Sequence, residues 1–487
     1  MTFTTLTFLI FLGIVFALYW SIRNRTAQNV LIIIASYIFY GWWDWRFCGL
    51  MLLASLLDYG VGLGLNGASS PSRRKLLLAI GLTGNVGMLA YFKYFNFFAE
   101  NFQRAAASIG WSVDAVTLNV VLPVGISFYT FQTMSYSIDV YRGKLVATPR
   151  LIEYLAYVSF FPQLVAGPIE RATNLLPQFF RERVFNHDLA VDGCRQMLWG
   201  FFKKMVIADN LAPMVDAVFG QPANYAGGEL AMATFFFAIQ IYCDFSGYSD
   251  IAIGLARLFG FELMRNFADP YLSQSLGEFW RRWHISLTTW FKDYVYIPLG
   301  GSKVSKWRQV KNVLITFLLS GFWHGASWNF IAWGAFNGLL VLPEIISGKG
   351  KALRATDIPG GNGLIPSWRV VARILITFAM ACVGWIFFRA ATLSDAWLII
   401  QRIVVDAFSL EGYFMGLQNA QDQPLGNFLL LAIAGLIAVE WIQRGEPHAL
   451  TLRAWPQPFR WAAYCALTAI IILGGTISAS QFVYFQF

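Results

Sequence analysis

The side chains of this chain that could move a proton are few, and two of them are histidines set among tryptophans. Phe322-Trp323-His324-Gly325-Ala326-Ser327-Trp328-Asn329 carries one of these inside an apolar stretch. His324 lies about 13 residues past Lys311, so on a helix it stands about 20 Å from that charge. Desolvation there would favour the uncharged ring, and a neutral imidazole is a general base. A histidine hydrogen-bonded between helices is the other use of the same residue, and the residues alone leave both open.

The second histidine sits in Glu278-Phe279-Trp280-Arg281-Arg282-Trp283-His284-Ile285-Ser286-Leu287. Trp280, Trp283, His284, Leu287, Phe291 and Tyr294 recur at i, i+3, i+4 spacing, which makes one stripe of a helix. Arg281, Arg282, Ile285, Ser286, Thr289 and Lys292 fall largely on other faces. The spacing predicts an amphipathic helix, Leu272 to Lys292, lying along the inner membrane interface. It could be an aromatic anchor with snorkelling arginines. It could equally be a basic vestibule for an anionic substrate, with His284 turned toward the bundle.

A third polar stretch, Gln240 to Asp250, holds two carboxylates, several hydroxyls and an amide. It could wall a polar pocket. Asp244 and Asp250 are six residues apart and do not share a helix face, so they do not read as a catalytic pair. Pairing with Lys or Arg is the reading their types favour.

Other patterns carry no chemistry. Gly60-Val61-Gly62-Leu63-Gly64 lacks the Lys-Ser/Thr ending of a phosphate loop, and no G-x-S-x-G elbow is present. Histidines 187, 284, 324 and 448 form neither HxxxH nor HExxH, so no metal site is expected. The five cysteines lie far apart without CxxC and read as buried small hydrophobes.

The elements that must position these residues follow from composition. Hydrophobic residues make up 57% of the 487 and charged ones 13%, against about 45–50% and about 25% in soluble domains. With a mean hydropathy of +0.53, too little polar surface remains to coat a soluble enzyme of this size. The class left is an all-α polytopic membrane protein. About eleven apolar segments approach the ~20 residues needed to cross about 30 Å of hydrocarbon. They are Phe3–Ile22, Asn29–Trp43, Phe47–Leu65, Leu76–Phe98, Leu118–Val140, Ile152–Ile169, Glu229–Phe259, Val313–Ile346, Arg369–Phe388, Asn427–Ile442 and Phe459–Ser480. Phe3–Ile22 lacks the basic start and A-x-A exit of a signal peptide, so it reads as a retained helix. Ile152–Ile169 contains Pro162 and Ala166-Gly167-Pro168 and reads as broken or re-entrant. No run of soluble composition separates a second domain, so residues 1–487 read as one membrane domain with an inner-face segment at 272–311.

The net charge of +9 is spread over loops and does not cluster as it would for a nucleic-acid partner. Basic loops mark the inner side. Arg23 and Arg25, Arg73 to Lys75, Arg142 with Lys144, and the Lys349–Arg354 loop then face inward. Both chain ends are placed outside.

The residues that bear the histidines resemble a known signature. Phe279-Trp280-Arg281-Arg282-Trp283-His284, Asp293-Tyr294-Val295-Tyr296-Ile297-Pro298-Leu299-Gly300-Gly301 and Trp323-His324-Gly325 look like the membrane-bound O-acyltransferase (MBOAT) family. The likeness extends to Leu122–Tyr129, to Ala166-Gly167-Pro168, to Asp244–Asp250 and to the closing Tyr484-Phe485-Gln486-Phe487, nearly the full length. Many eukaryotic members have Asn or Asp where His284 stands, and the histidine fits the bacterial polysaccharide-modifying branch.

The resemblance implies a multi-pass enzyme of the bacterial inner membrane, with a tunnel through a ring of tilted helices. It implies His324 as the key catalytic residue and His284 as the second polar group. Trp280, Arg281, Arg282, Asp293, Tyr294, Asn329 and Asp244 become candidates for binding the donor or substrate. No resident cofactor or metal is implied. The donor is acetyl-coenzyme A by analogy, although the related teichoic-acid D-alanylation system uses a carrier protein. The acceptor is an exported polysaccharide, reached with a periplasmic acetyltransferase-type partner. Alginate is the first expectation, with cellulose or peptidoglycan next. Buried Asp and His also mark proton relays, so a proton-coupled transporter of polysaccharide units is the competing class, and a scaffold for export machinery is a third.

Overall fold

Long apolar runs without breakers fold as helices, and the computed structural model is all-helical in its regular elements across the residues it describes. These are residues 1–476 apart from 115–116, 120, 166, 348–357, 360–362, 364, 424 and 453–454. Six helices among them are long and apolar enough to cross a membrane: Arg46–Gly67, Pro71–Ser108, Gly227–Leu258, Trp328–Ser347, Trp368–Arg389 and Gly426–Gln443. Leu6–Ser21 is a shorter apolar helix. The remaining segments of the expected eleven form helices that are shorter, interrupted or fall outside the six. Lys349, Lys351, Arg354, Ala166 and Tyr484–Phe487 lie outside the described residues.

The chain forms two compact units, residues 1–190 with 255–264, and residues 191–254 with 265–487. In the first, Thr5 and Asn24 cap the opening helices, their side-chain oxygens accepting from Phe8 N–H and Ala27 N–H. The segment expected to be helical from Leu118 is helical only over Ile126–Tyr141. Pro123 lacks an N–H, and Gly125 sits at φ 72 with Leu164 O only 2.8 Å from where a Cβ would be. The Leu-Pro-Val-Gly sequence therefore starts a helix and is not its interior. Ile152–Ile169 is broken as expected, into Leu151–Ser159 and Phe161–Leu164. The backbone groups freed at the break find partners. Tyr157 O accepts from Gln132 Nε2 at 2.9 Å and Gln163 Nε2 at 3.0 Å, and Phe161 N–H donates to Ser36 Oγ.

One polar residue of this unit that composition did not flag is Asp58. It is fully buried on Arg46–Gly67 and accepts from Asn85 Nδ2 at 2.6 Å and from Ser137 Oγ. Three helices are thereby joined through one carboxyl group, a use of polar side chains common between helices in lipid.

In the second unit a π turn, Phe202–Ala208, joins the helices His187–Phe201 and Asp209–Gly220. The turn aims two consecutive lysines at Gly227–Leu258. Lys203 Nζ lies 2.6 Å from Asp250 and 2.8 Å from Ser246 Oγ, while Lys204 Nζ lies 2.7 Å from both Asp209 and Asp244. Asp244 and Asp250 thus pair with lysine, as their types favoured. The cysteines are a correction: only Cys243 is buried, Cys48 and Cys382 are half-buried, and Cys194 and Cys465 are exposed.

Candidate active site

His284 stands on an elbow where its periodicity predicts a continuous helix. The chain forms two short helices, Leu276–Arg282 and Ile285–Phe291, with the break at Trp283-His284. Ser275 starts the first, its hydroxyl accepting from Glu278 N–H at 3.2 Å. Glu278 then binds Arg282 Nε at 2.9 Å, four residues on. The break is imposed by a second segment lying alongside. Ala268 N–H donates to Arg282 O at 3.0 Å, and Ile285 N–H donates to Asn266 O at 2.9 Å. His284 consequently takes φ 44, and Asp269 at φ 48 is the only other described non-glycine residue with positive φ. Strain of this kind concentrates at functional sites.

The His284 ring is buried between Phe245, at 4.6 Å centroid to centroid, and Phe267 and Trp323, at 6.4 and 6.2 Å. Its Nδ1 lies 3.1 Å from Asn266 Oδ1. Burial pushes its pKa down to about 3, so the ring is neutral at physiological pH.

His324 is the last residue of Lys306–His324; the chain turns at 325–327 and returns as Trp328–Ser347. The apolar stretch Val313–Ile346 is therefore a hairpin of two helices. Its halves touch backbone to backbone. A Cβ on Gly321 would fall 2.2 Å from Phe330 O, and one on Gly334 would fall 2.4 Å from Phe317 O. Only glycine permits that approach, the usual device for close helix pairs in lipid. The rings of Trp323, Trp333 and Phe388 surround His324 at 4.9, 5.0 and 5.4 Å.

Both histidines line one cavity of about 580 Å³. On the helix Lys306–His324 it is walled by Lys306, Gln309, Val313, Thr316, Phe317, Ser320 and His324. That three- and four-residue spacing is a single helix face running its whole length, about 27 Å at 1.5 Å per residue. One end carries exposed Lys306 and Lys292, with half-buried Arg281 and Glu344 also in the wall; the buried end carries His324. Such a passage can draw an anion by its charged end and hold a reacting group against a buried imidazole.

A family model described as MBOAT, the membrane-bound O-acyltransferase family, matches residues 77–383. The chain belongs to the MBOAT family. Among its MBOAT relatives, a probable alginate O-acetylase, AlgI, of Azotobacter vinelandii is 39% identical over 93% of this chain and 87% of its own. The AlgI protein of Pseudomonas aeruginosa is 41% identical over 83% of this chain and 75% of its own. A peptidoglycan O-acetyltransferase of Helicobacter pylori is 33% identical over 78% and 75%. This MBOAT chain is a membrane O-acyltransferase.

The structure sorts the residues nominated from sequence. His324, His284, Trp280 and Arg281 line the cavity. Arg282 does not; it is buried against Glu278 and Ala268 O, which replaces the snorkelling expected of it. Asp244 belongs to the lysine cluster, and Asn329 Nδ2 clasps Ala390 O at 2.6 Å. Asp293 lies 3.7 Å from Lys292 Nζ, and Tyr294 packs on Trp290. None of these five is in the cavity wall. Sequence reasoning missed Lys306, Gln309, Tyr296 and Glu344. The first two were within reach, because counting back from His324 in steps of three and four arrives at both.

Proposed function

We propose that this enzyme moves an acetyl group from acetyl-coenzyme A, entering at the Lys292–Lys306 end, to a hydroxyl acceptor at His324 in the bacterial inner membrane. The observation that supports this reading is the single cavity joining cationic side chains to two buried histidines. In the step, the acceptor oxygen attacks the thioester carbonyl. The C–O bond forms and the C–S bond breaks. His324 takes the hydroxyl proton and returns it to the leaving thiolate, so free coenzyme A departs as the thiol. A positioned general base of this kind contributes about 10²–10⁴-fold. The similarity to the AlgI proteins favours alginate as the modified polymer, and we propose that a periplasmic partner completes the transfer. The Helicobacter pylori relative supports peptidoglycan as the second reading.

The test is polymer-linked acetate in a deletion strain complemented with wild type or His324→Ala at matched membrane levels. Restoration by wild type alone supports transfer through His324, and the purified polymer names the acceptor. Full restoration by the variant overturns the mechanism. Loss of the polymer itself in the deletion strain replaces it with the transporter or scaffold reading.

A further inference from the structure

The side of His284 that meets Asn266 is defined well enough to say where the proton sits. Asn266, Ser249, Ser286 and His284 are all buried. Ser286 N–H donates to Asn266 Oδ1 at 3.3 Å, and Ser286 Oγ donates to the same oxygen at 2.9 Å. A backbone N–H can only donate, so the atom it meets is the amide oxygen. The amide nitrogen then faces Ser249 Oγ, to which Nδ2 donates at 3.1 Å. The Ser249 hydroxyl, which can accept, fits the orientation that the Ser286 N–H sets.

An amide oxygen only accepts. The His284 Nδ1 lies 3.1 Å from it and 3.4 Å from Ser286 Oγ, whose own hydrogen goes to the same amide oxygen at 2.9 Å, so Nδ1 carries the hydrogen of its shorter contact. A neutral ring has one N–H, so Nε2 is the nitrogen with the lone pair.

We infer that Asn266 is a positioning residue, held by Ser249 and Ser286, that fixes His284 as the Nδ1–H tautomer so that it offers the cavity an acceptor nitrogen. The acceptor suits a group that arrives with a proton, either the attacking hydroxyl or a thiol or amide of the donor arm. It does not suit a developing oxyanion, which needs donors. This assigns His284 to receiving or orienting a proton-bearing group and leaves carbonyl polarisation to other residues. The elbow serves the same end. Asn266 O holds Ile285 N–H while Asn266 Oδ1 holds the ring, so one residue sets both the backbone and the side chain at the break.

The inference rests on the acyltransfer reading for its role in the reaction, though not for the tautomer itself. The test uses the full-length chain with a tag free of histidine, labelled with ¹⁵N-histidine. Only His187, His284, His324 and His448 contribute signals, and His284→Asn assigns one of them by its loss. Wild type is expected to show protonated Nδ1 and bare Nε2 at His284. Asn266→Leu, which has no acceptor, should lose that preference and cut kcat by about 10- to 100-fold, as loss of an orienting partner does, with donor KM unchanged. Asn266→Asp keeps an acceptor oxygen and should keep Nδ1 protonated.

A wild-type spectrum with the proton on Nε2 overturns the assignment without any variant. So does an Asn266→Leu protein that keeps both the Nδ1 proton and the rate. If the spectrum shows Nδ1–H but His324→Ala still acetylates polymer, the general-base role proposed for His324 fails and the positioning stands. If His324 is required but Nε2 carries the proton, the positioning fails alone.

Discussion

Lys203 and Lys204 are each 2% exposed, His284 is 1% and His324 is 6%, so burial alone does not separate the two polar clusters of residues 191–254 and 265–487. What separates them is what each faces. The lysines meet Asp209, Asp244 and Asp250 at 2.6–2.7 Å, charge against charge. The histidines are enclosed by aromatic rings and open onto a cavity. A buried ion pair is costly to break and already satisfied, so it holds helices in place. The histidine rings instead border a cavity that a ligand could enter. With many polar side chains buried, this distinction is a better guide to chemistry than polarity itself.

The comparison yields ordered predictions. Replacing His324 with alanine should lower acetyl transfer by at least about 10²-fold while the unfolding temperature in detergent is unchanged. A fall in both would move His324 into the structural class. Lys204→Ala should do the reverse. It leaves Asp209 and Asp244 without their shared cation, at a cost of about 3–5 kcal/mol, read as reduced membrane yield and earlier thermal unfolding. If Lys204→Ala folds normally and only activity falls, the lysine cluster belongs to the reaction.

A smaller effect is expected at the charged end of the cavity. Lys292→Gln with Lys306→Gln should raise the donor KM by about 3- to 10-fold at low salt, with kcat kept and the difference shrinking as ionic strength rises. A change in kcat without one in KM would separate these lysines from donor entry. The smallest effect is a null one. Burial pushes the His284 pKa down to about 3, so its ¹⁵N shifts should stay flat from pH 8 to pH 5. The sign follows from linkage. The unfolded chain takes up this proton near its ordinary value of about 6.5 and the folded one does not, so stability falls as pH drops below that value. Titration of His284 near 6 would show that water reaches the ring.

The helical class, the membrane location and the two histidines were legible because hydropathy and residue rarity are local properties. The lysine pairing of Asp244 and Asp250 was legible too, since a carboxylate in an apolar helix needs a cation. The elbow was not. Trp283-His284-Ile285 contains no glycine, proline or asparagine, and its spacing is that of an unbroken helix. The break comes from hydrogen bonds to Asn266 and Ala268, some 15 residues earlier in the chain. The π turn at Phe202–Ala208 and the joining of three helices by Asp58 were hidden for the same reason. Reading Arg282 as an exposed cation failed because Glu278, one turn before it, takes its charge inside.

The left-handed backbone at position 284 also limits which residues descent can try there. At φ 44 a β-branched or bulky apolar side chain collides with its own backbone, whereas His, Asn and Asp are the non-glycine types that visit this region most readily. The bend therefore acts as a filter on the genetic alphabet at that codon. It admits a short list of small polar side chains whatever the enzyme's substrate.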